Sequence, residues 1–479
     1  MRTTIQLFAI ATFFLSTLTG CKKYLDEPLP SDNLSESNVY VSDNSISSVV
    51  TGNFLSLIQG GSMFGGSGSA NLPYVTGLYM DELQSIATSN TNNVAFYNDA
   101  IQYGNTGHWT NLYKQVFGVN SALEGILGTG ASLYFKNQWL GESYFDRALL
   151  YFYLTNLYGP VPLALTSDYA TNNVLSRAPQ SQVYQQIIAD LRQAQSLLNS
   201  GYTDGYGAST THRVRPNRYA ADALLAKAYL YTQKWDSAEM AADSVISAPY
   251  YSLVPPARVF NANDSETVWG LAPTAGSAAF EYGFYNNGMP ATITSMTAPA
   301  QNYTVLVAMD TALVNTFESG DARYTTWVRP ATVSGTTPTF TYYFPNKYSS
   351  SAQGSVNEII LRMGEVYLIR AEARAQQNNI SGAQSDLNAV RKRAGLPNTT
   401  AIDQAGLLSA IAHERRVELF TEGANRFFDL KRTGAIDAVM TAFAPTKGAT
   451  WSDYMQLFPI PTSDLIQDPN ITANPGYQQ

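Results

Sequence analysis

Aromatic residues stand in two polar stretches of the chain, residues 89–103 and residues 274–305, among mostly Asn, Ser, Thr, Gly and Ala. Such a ring suits a sugar, because the C–H face of the sugar packs on the ring while its hydroxyls pair with nearby amides and carboxylates. The rings are Phe96, Tyr97, Tyr103, Phe280, Tyr282, Phe284, Tyr285 and Tyr303. We predict that they bind carbohydrate; for residues 89–103 the alternative is that the rings fold back into the core.

The second stretch is long for a connection between regular elements. A loop of about 30 residues without structure of its own is usually either functional or disordered. Four of the rings fall within residues 280–285, and so many aromatic side chains argue against disorder. We therefore predict that this stretch contributes to a ligand face.

Residues suited to catalysis or metal binding are scattered along the chain. His108, His212 and His413 match no metal-ligand spacing. Residues 60–68 are rich in glycine but lack the Lys-Ser/Thr ending of a phosphate-binding loop, and the sequence contains no Gly-x-Ser-x-Gly elbow. No pair of carboxylates is singled out by its position. The sequence thus predicts no enzyme, no cofactor and no metal site.

The charge content of the chain is low. Charged residues make up 14 % of the 479 residues and the net charge is −8, whereas an average soluble protein has about 25 % charged residues. Tyr, Asn, Ser, Thr and Gln supply the surface instead, which suits a neutral, hydroxyl-rich ligand. Nucleic-acid binding is not expected, because phosphate recognition needs basic patches.

The first residues have the layout of a bacterial lipoprotein signal. Arg2 precedes an apolar run, residues 7–18, that is too short to span a bilayer. Leu-Thr-Gly-Cys at residues 18–21 matches a lipobox, in which the cysteine receives lipid and becomes the new N-terminus. We predict a signal peptide over residues 1–20, lipidation of Cys21 and a tether over residues 21–38; the alternative is an ordinary signal peptide with an incidental cysteine.

Helical periodicity dominates the rest of the chain, and paired helices joined by short turns carry Ala where the two helices meet, as in tetratricopeptide repeats. The middle of residues 141–163 is apolar on more than one side, which predicts a central, buried helix ending at Gly159-Pro160. The predicted helices span residues 39–58, 109–127, 144–158, 180–198, 217–231, 235–246, 363–377 and 381–394.

Several motifs resemble those of one family. The run Glu-x-x-Phe-x-Arg-Ala-Leu followed by Leu-Tyr-Gly-Pro-Val-Pro-Leu, within residues 141–163, is one, and Tyr-Met-Asp-Glu at residues 79–82 is another. The run ERRVELFTEGANRFFDLKRTG at residues 414–434, Pro-Ile-Pro at residues 459–461 and Asn-Pro-Gly-Tyr at residues 474–477 complete the set. Together they resemble the SusD/RagB family of outer-membrane nutrient-binding lipoproteins.

This resemblance implies a mainly α fold. The expected fold is a tetratricopeptide-like helical scaffold, residues 39–246 and 359–479, with a loop-rich, partly β insertion, residues 247–358, that forms the ligand face. Residues 39–479 would then be a single SusD-like domain. The ligand site would begin beside Asp81 and include the rings named above.

The resemblance also implies a function. The chain would sit in the outer membrane through its lipid anchor, face the exterior, bind a glycan without chemistry and deliver it to a TonB-dependent SusC-like transporter. One alternative keeps the fold but binds peptides or another nutrient. Another alternative is a tetratricopeptide scaffold without a small ligand.

Other conspicuous residues are expected to be structural. Trp109 and Trp269 are predicted to be core residues, and Asp321 and Arg323 to hold a turn. Charge pairs in residues 414–434 are expected to tie helices together, each contributing a few tenths of a kcal/mol if they lie at the surface.

Overall fold

The structure is a computed structural model that describes residues 39–59, 63–65, 70–86, 90–105, 107–273, 279–286, 292–293, 307–333, 340–350, 352 and 356–477. Helices dominate it, as the sequence predicts. The helices are α1 (Asp43–Ser56), α2 (Leu72–Tyr79), α3 (Thr91–Tyr97), α4 (His108–Gly128), α5 (Lys136–Tyr158), α6 (Tyr169–Asn172), α7 (Gln180–Leu197), α8 (Arg218–Tyr231), α9 (Trp235–Ile246), α10 (Phe280–Tyr285), α11 (Thr311–Val314), α12 (Ala322–Trp327), α13 (Met363–Gln376), α14 (Ile380–Arg393), α15 (Gln404–Glu418), α16 (Asn425–Arg432), α17 (Ile436–Phe443) and α18 (Thr462–Gln467).

The central helix is α5, which packs between α4 and α7. Its residues from Gln138 to Tyr158 are all buried except Tyr144, because apolar side chains lie on every side of the helix and polar ones such as Glu142 and Arg147 form buried ion pairs. The helix begins eight residues before the predicted start and so includes Gly141. This position is a glycine because a Cβ there would lie 2.8 Å from the Leu198 side chain. The helix ends as predicted at Gly159, whose φ of 75° favours glycine.

Two helical hairpins, α8–α9 and α13–α14, repeat one local geometry. In the first, Lys234 N donates to Tyr229 O at 2.9 Å, and in the second Asn379 N donates to Arg374 O at 2.8 Å. The residue before each donor has a positive φ, 57° and 60° respectively. The hairpins pack side by side through α9 and α13. This repetition confirms the predicted tetratricopeptide-like pattern.

Short strands connect the insertion to the scaffold. The strands are β1 (Leu83–Ser85), β2 (Val161–Pro162), β3 (Arg177–Ala178), β4 (Tyr202–Thr203), β5 (Ser209–Thr210), β6 (Thr267–Leu271), β7 (Thr292–Ile293), β8 (Val307–Met309), β9 (Val328–Val333), β10 (Phe340–Pro345) and β11 (Glu358–Arg362). β1 pairs with β8 in antiparallel fashion, as does β6 with β11, while β7, β9 and β10 form a three-stranded sheet. The insertion is thus partly β, and α10 adds a short helix where the sequence suggested only loop.

Buried ion pairs join the C-terminal helices to the insertion. Arg362 donates to Glu418 at 2.5 Å and to Glu422 at 2.6 Å, and Glu418 also pairs with Arg323 at 2.8 Å and with Arg393. We call these five residues the charged core. Each of their side chains is at most 8 % exposed. The few tenths of a kcal/mol expected for a surface ion pair in residues 414–434 therefore do not apply to the buried pairs of Glu418 and Glu422.

Neighbouring arginines keep one buried carboxylate of the charged core ionised. Burial alone would raise the pKa of Glu418, but Arg393, Arg362 and Arg323 together hold that pKa well below its ordinary value. The charged core therefore persists as ions at neutral pH.

The residues predicted to be structural are structural. Trp109 and Trp269 are 2 % and 0 % exposed. Asp321 precedes α12 and its Oδ1 accepts from Arg323 N at 2.9 Å, while the Arg323 side chain donates back to the same carboxylate. The pair holds the start of α12 in place.

Residues 1–38, with the predicted signal peptide, Cys21 and tether, lie outside the described residues. Among the residues that are described, no helix is long and apolar enough to cross a membrane.

Candidate functional site

The two ring-bearing stretches meet at one residue of α2. Tyr74 is 3 % exposed, and its hydroxyl accepts from Asn93 Nδ2 of α3 at 2.7 Å. The ring of Tyr74 lies 5.3 Å from that of Phe284 and stacks at 6.1 Å on that of Tyr285, both in α10. We call α3, residues 98–105 and α10 the aromatic face. Segments nearly 200 residues apart in sequence are therefore neighbours there.

Helix α10 is held by hydrogen bonds at both ends. At its start, Phe280 N donates to Glu358 Oε1 of β11 at 2.5 Å. After its last turn, Asn286 Nδ2 donates to the carbonyl oxygens of Pro345 and Tyr348 at 3.2 and 3.3 Å. Burial raises the pKa of Glu358 to about 7. The rings of α10 are therefore presented by a fixed helix rather than by a free loop.

Helix α3 is capped and oriented by asparagines. Asn90 Oδ1 accepts from Asn93 N at 3.0 Å, which satisfies one of the free N–H groups at the helix start. Tyr97 lies one turn after Asn93, on the same stripe of the helix. The half-buried Tyr97 ring lies 5.6 Å from Lys447 Nζ, which pairs with Asp99 at 2.7 Å. Lys447 and Asp99 therefore offset each other's charge beside this ring, and Asp310 adds one further carboxylate near it.

Residues 98–105 leave α3 along a short loop that carries a further ring. The ring of Tyr103 lies 6.3 Å from that of Tyr477, which in turn lies 5.1 Å from the ring of Tyr454. Asn105 Nδ2 donates to Asn92 Oδ1 at 3.0 Å and ties the loop back to α3. Amides and rings thus alternate along this part of the aromatic face.

Three predicted ligand residues are buried, and their prediction as exposed binding groups is wrong. Phe96 is 0 % exposed and packs on Tyr79 and Phe458, so this ring does fold back into the core. Tyr285 is 2 % exposed beneath Tyr74. Asp81 is 3 % exposed and forms ion pairs with two arginines.

Asp81 is part of a buried ion cluster. Arg426 donates to both carboxylate oxygens of Asp81 at 2.7 Å, and Arg416 Nη2 lies 2.7 Å from Asp81 Oδ2. Burial alone would raise the pKa of Asp81, but the two arginines lower it. This aspartate joins the end of α2 to α15 and α16 and does not present an acceptor to solvent.

Replacing Asp81 with asparagine is expected to lower the free energy of unfolding by about 2 kcal/mol, because two partly buried guanidiniums lose the buried carboxylate that they share. Affinity for any glycan that the wild-type chain binds should stay within a factor of two. Chemical denaturation and gel affinity measurements on the same preparations check both statements. A variant of normal stability that had lost binding would return Asp81 to the ligand site.

The other predicted rings keep part of their surface. Five are half-buried and stay a prediction as ligand contacts, while Tyr303 lies outside the described residues. The five are Tyr97, Tyr103, Phe280, Tyr282 and Phe284. Phe280, Tyr282 and Phe284 also pack against the apolar core, which limits their rotation.

Sequence reasoning missed the residues that assemble the aromatic face. Tyr74 and Asn93 bring α2, α3 and α10 together, but Tyr74 stands in an apolar helix that gives no sign of such a role. A hint was the recurrence of Asn at residues 90, 92 and 93, which suits helix capping and side-chain pairing.

The three histidines do not form a metal-binding site. His108 is 1 % exposed beside the carbonyl of Ala70, and burial lowers its pKa to about 4. Within the described part of the chain, no group of three His, Cys, Asp or Glu side chains is placed to hold a metal ion.

Comparison with known proteins matches this architecture to one family. The model of the SusD family matches residues 164–477. The chain belongs to the SusD family. A second family model, described as starch-binding and associating with the outer membrane, matches residues 24–230. The resemblance read from the motifs is thereby confirmed.

Relatives and solved structures cover almost the whole chain. SusD-like protein P25 of Formosa agariphila is 25 % identical over 546 residues, which cover 99 % of this chain and 100 % of that protein. A SusD superfamily protein from Bacteroides vulgatus superposes with a TM-score of 0.74 at 20 % identity, covering 91 % of this chain and 100 % of that one. A laminarin-binding SusD-like protein superposes with a TM-score of 0.71 at 23 % identity over 91 % and 99 % of the two chains. The SusD fold, mainly helical with repeated hairpins, is therefore confirmed.

Proposed function

We propose that the chain binds a neutral glycan on the aromatic face and does no chemistry on it. The rings of Tyr97, Tyr103, Phe280, Tyr282 and Phe284 would pack on the C–H faces of successive sugar units. Asparagines of α3 and the following loop would pair with the hydroxyls. Half-exposed rings held on a fixed frame favour a shallow, tolerant surface that captures and releases an oligomer.

The observation that carries the proposal is the junction at Tyr74, which brings the rings of α3 and α10 onto one frame. Charge supports a neutral ligand, because Asp99 is paired with Lys447 and Asp81 with two arginines. Two further charges near the rings, Asp310 near Tyr97 and Arg329 near Tyr282, are of opposite sign. The names of the matched families and neighbours, which mention starch and laminarin, agree with a glycan.

We further propose where the glycan goes after capture. The chain would be anchored in the outer membrane through lipid on Cys21, with the aromatic face exposed to the exterior. It would pass the bound oligomer to a TonB-dependent SusC-like transporter. The lipobox and the family's association with the outer membrane support this placement.

Affinity electrophoresis in gels that contain laminarin or soluble starch tests the binding. The wild-type chain is expected to be retarded by at least one of them. Changing Tyr97 and Tyr282 together to alanine should weaken binding about tenfold, or about 1.4 kcal/mol, because two stacking surfaces are lost. Tyr285 is not a suitable target, because its removal would open a cavity beneath Tyr74.

The matched control is Tyr367→Ala, which removes a half-buried ring from α13 of the helical scaffold. This variant should bind like the wild type, and circular dichroism should show all variants folded. Retardation that survives the loss of Tyr97 and Tyr282 would contradict the aromatic face as the site. If the chain captures peptides and no glycan retards it, the ligand is a peptide and not a glycan.

A further inference from the structure

A second cleft lies between α4, residues 162–175 and the C-terminal residues 464–471. Its volume is about 560 Å³, within the range of about 300–1,000 Å³ that ligand sites occupy. None of the residues that line it belongs to the aromatic face. We call it the α4–α18 cleft.

The floor of the α4–α18 cleft is a rigid aromatic platform. The rings of Trp109 and Tyr113 lie 4.8 Å apart, and Trp109 also packs edge-on against Tyr158 at 4.9 Å. Tyr113 donates its hydroxyl proton to the carbonyl oxygen of Pro162 at 2.8 Å. These contacts hold the floor in one conformation, so a ligand need not order it.

Exposed apolar side chains are concentrated on the segments that form the α4–α18 cleft. Phe117 and Tyr169 line the cleft and are 56 % and 77 % exposed. Leu165, Val174 and Ile466, which lie on two of its three segments, are 39 %, 65 % and 78 % exposed. Among the described residues, these five are a large share of the exposed big apolar side chains, and such concentration marks a binding surface.

The polar groups of the α4–α18 cleft suit hydroxyls. Asn172 Nδ2 donates to Thr166 O at 2.7 Å, whereas its buried Oδ1 accepts no hydrogen bond from the described residues. Asn173, Gln467 and Asp464 add further amide and carboxylate groups to the lining. Lys and Arg are absent from the lining within the described part of the chain. Sulfated or uronate-rich polymers would meet carboxylates in this lining, while the guanidinium of Arg177, near Tyr113, already donates to the carbonyl oxygens of Pro160, Thr472 and Tyr158. The lining therefore selects against these polymers.

We propose that the α4–α18 cleft is a second saccharide-binding subsite, for a neutral stretch of the same polysaccharide. The proposal rests on the proposed glycan-binding function but uses different residues. Phe117 and Tyr169 pack on sugar rings at the rim, while Asn172 and its neighbours pair with hydroxyls. Two points of contact on one polymer raise the effective affinity, because the second contact is made within the same complex.

Hydroxyl-radical footprinting and affinity electrophoresis on the full chain test the second subsite. The probes are laminarin and soluble starch, with a sulfated polysaccharide such as carrageenan as the charged comparison. The neutral polymer that retards the wild type should protect Phe117 and Tyr169 from oxidation, and carrageenan should not. Changing Phe117 and Tyr169 together to alanine should weaken retardation at least threefold. Both side chains are largely exposed, so the variant should fold.

The matched control changes Tyr134 and Tyr206, which are 92 % and 74 % exposed and lie outside the cleft, to alanine. It should bind like the wild type. If the Phe117 and Tyr169 variant binds normally while the Tyr97 and Tyr282 variant is weakened, the second subsite is overturned and the aromatic face stands. If neither laminarin nor soluble starch retards the wild-type chain or protects it from oxidation, both proposals are overturned.

Discussion

Replacing Arg362 with methionine is expected to lower the free energy of unfolding by about 3–5 kcal/mol, because the change removes a counter-ion that buried carboxylates share. Arg362 is 1 % exposed and donates to Glu418 and Glu422, and Glu266 lies within 3.5 Å. Methionine fills much of the volume but supplies no donor. Denaturant-induced unfolding followed by circular dichroism measures the loss.

The matched control is Arg258→Met, which removes a guanidinium that is also bidentate, to Asp264, but whose side chain is 61 % exposed. Arg258→Met should lower the free energy of unfolding by less than about 1 kcal/mol, because water already solvates most of this guanidinium and Asp264 Oδ1 keeps its hydrogen bond from Ser265 N. Arg362→Lys should lie between the two, since lysine keeps the charge but not the planar fork. Equal losses for Arg362→Met and Arg258→Met would show that burial does not set the strength of the charged core.

Replacing Asp146 with asparagine is expected to stabilise the protein, by about 3 kcal/mol at pH 8. Asp146 of α5 is 2 % exposed, and its Oδ1 accepts no hydrogen bond from the described residues. Burial, with a smaller contribution from Glu142, raises the pKa of Asp146 to about 8. The amide has no proton to lose and so avoids the cost of a buried charge.

The pH dependence gives the sign of this effect. Because the pKa of Asp146 is raised in the folded state, its stabilising contribution is complete below about pH 4 and is lost as the pH rises towards 8. The advantage of Asp146→Asn should therefore be small at pH 4 and grow up to pH 8. Unfolding midpoints of both proteins across this range measure it.

A matched variant on a neighbouring helix should behave in the opposite way. Asp190 of α7 is also 2 % exposed, but it accepts from Arg147 Nε and Nη2 at 2.8 and 2.7 Å. Asp190→Asn should destabilise the protein by about 2 kcal/mol at pH 7, because a charge-assisted pair is broken. If both asparagine variants changed stability in the same direction, pairing would not explain the difference between the two sites.

The helical scaffold could be read from the sequence because its signal is local. Predicted and observed helices agree within two residues for residues 180–198, 217–231, 235–246, 363–377 and 381–394. In each of them the apolar spacing, the small residues and the turn fall within about one helical hairpin. The start of α5 was not predicted, because a glycine such as Gly141 suggests the end of a helix. Here a glycine is needed because the side chain of Leu198, more than fifty residues later, packs closely against this position.

The candidate site was predictable only in part, because burial depends on distant partners. Phe96 and Tyr97 are adjacent in a polar stretch, yet one packs on Phe458 and the other keeps part of its surface. Asp81 looks like a ligand group until Arg416 and Arg426 are placed beside it. No local pattern carries these contacts, which span more than 300 residues.

The strand pairs of the insertion have an evolutionary consequence. Leu271 at the end of β6 pairs with Glu358, and Met309 at the end of β8 pairs with Leu83, so the chain leaves and rejoins the frame at fixed points. Substitutions, insertions and deletions between Leu271 and Met309 that leave the packed rings of α10 in place are expected to alter what the protein presents to its surroundings without disturbing the paired helices. Specificity for a new polymer can therefore evolve through changes in this one segment, while the helical scaffold stays the same.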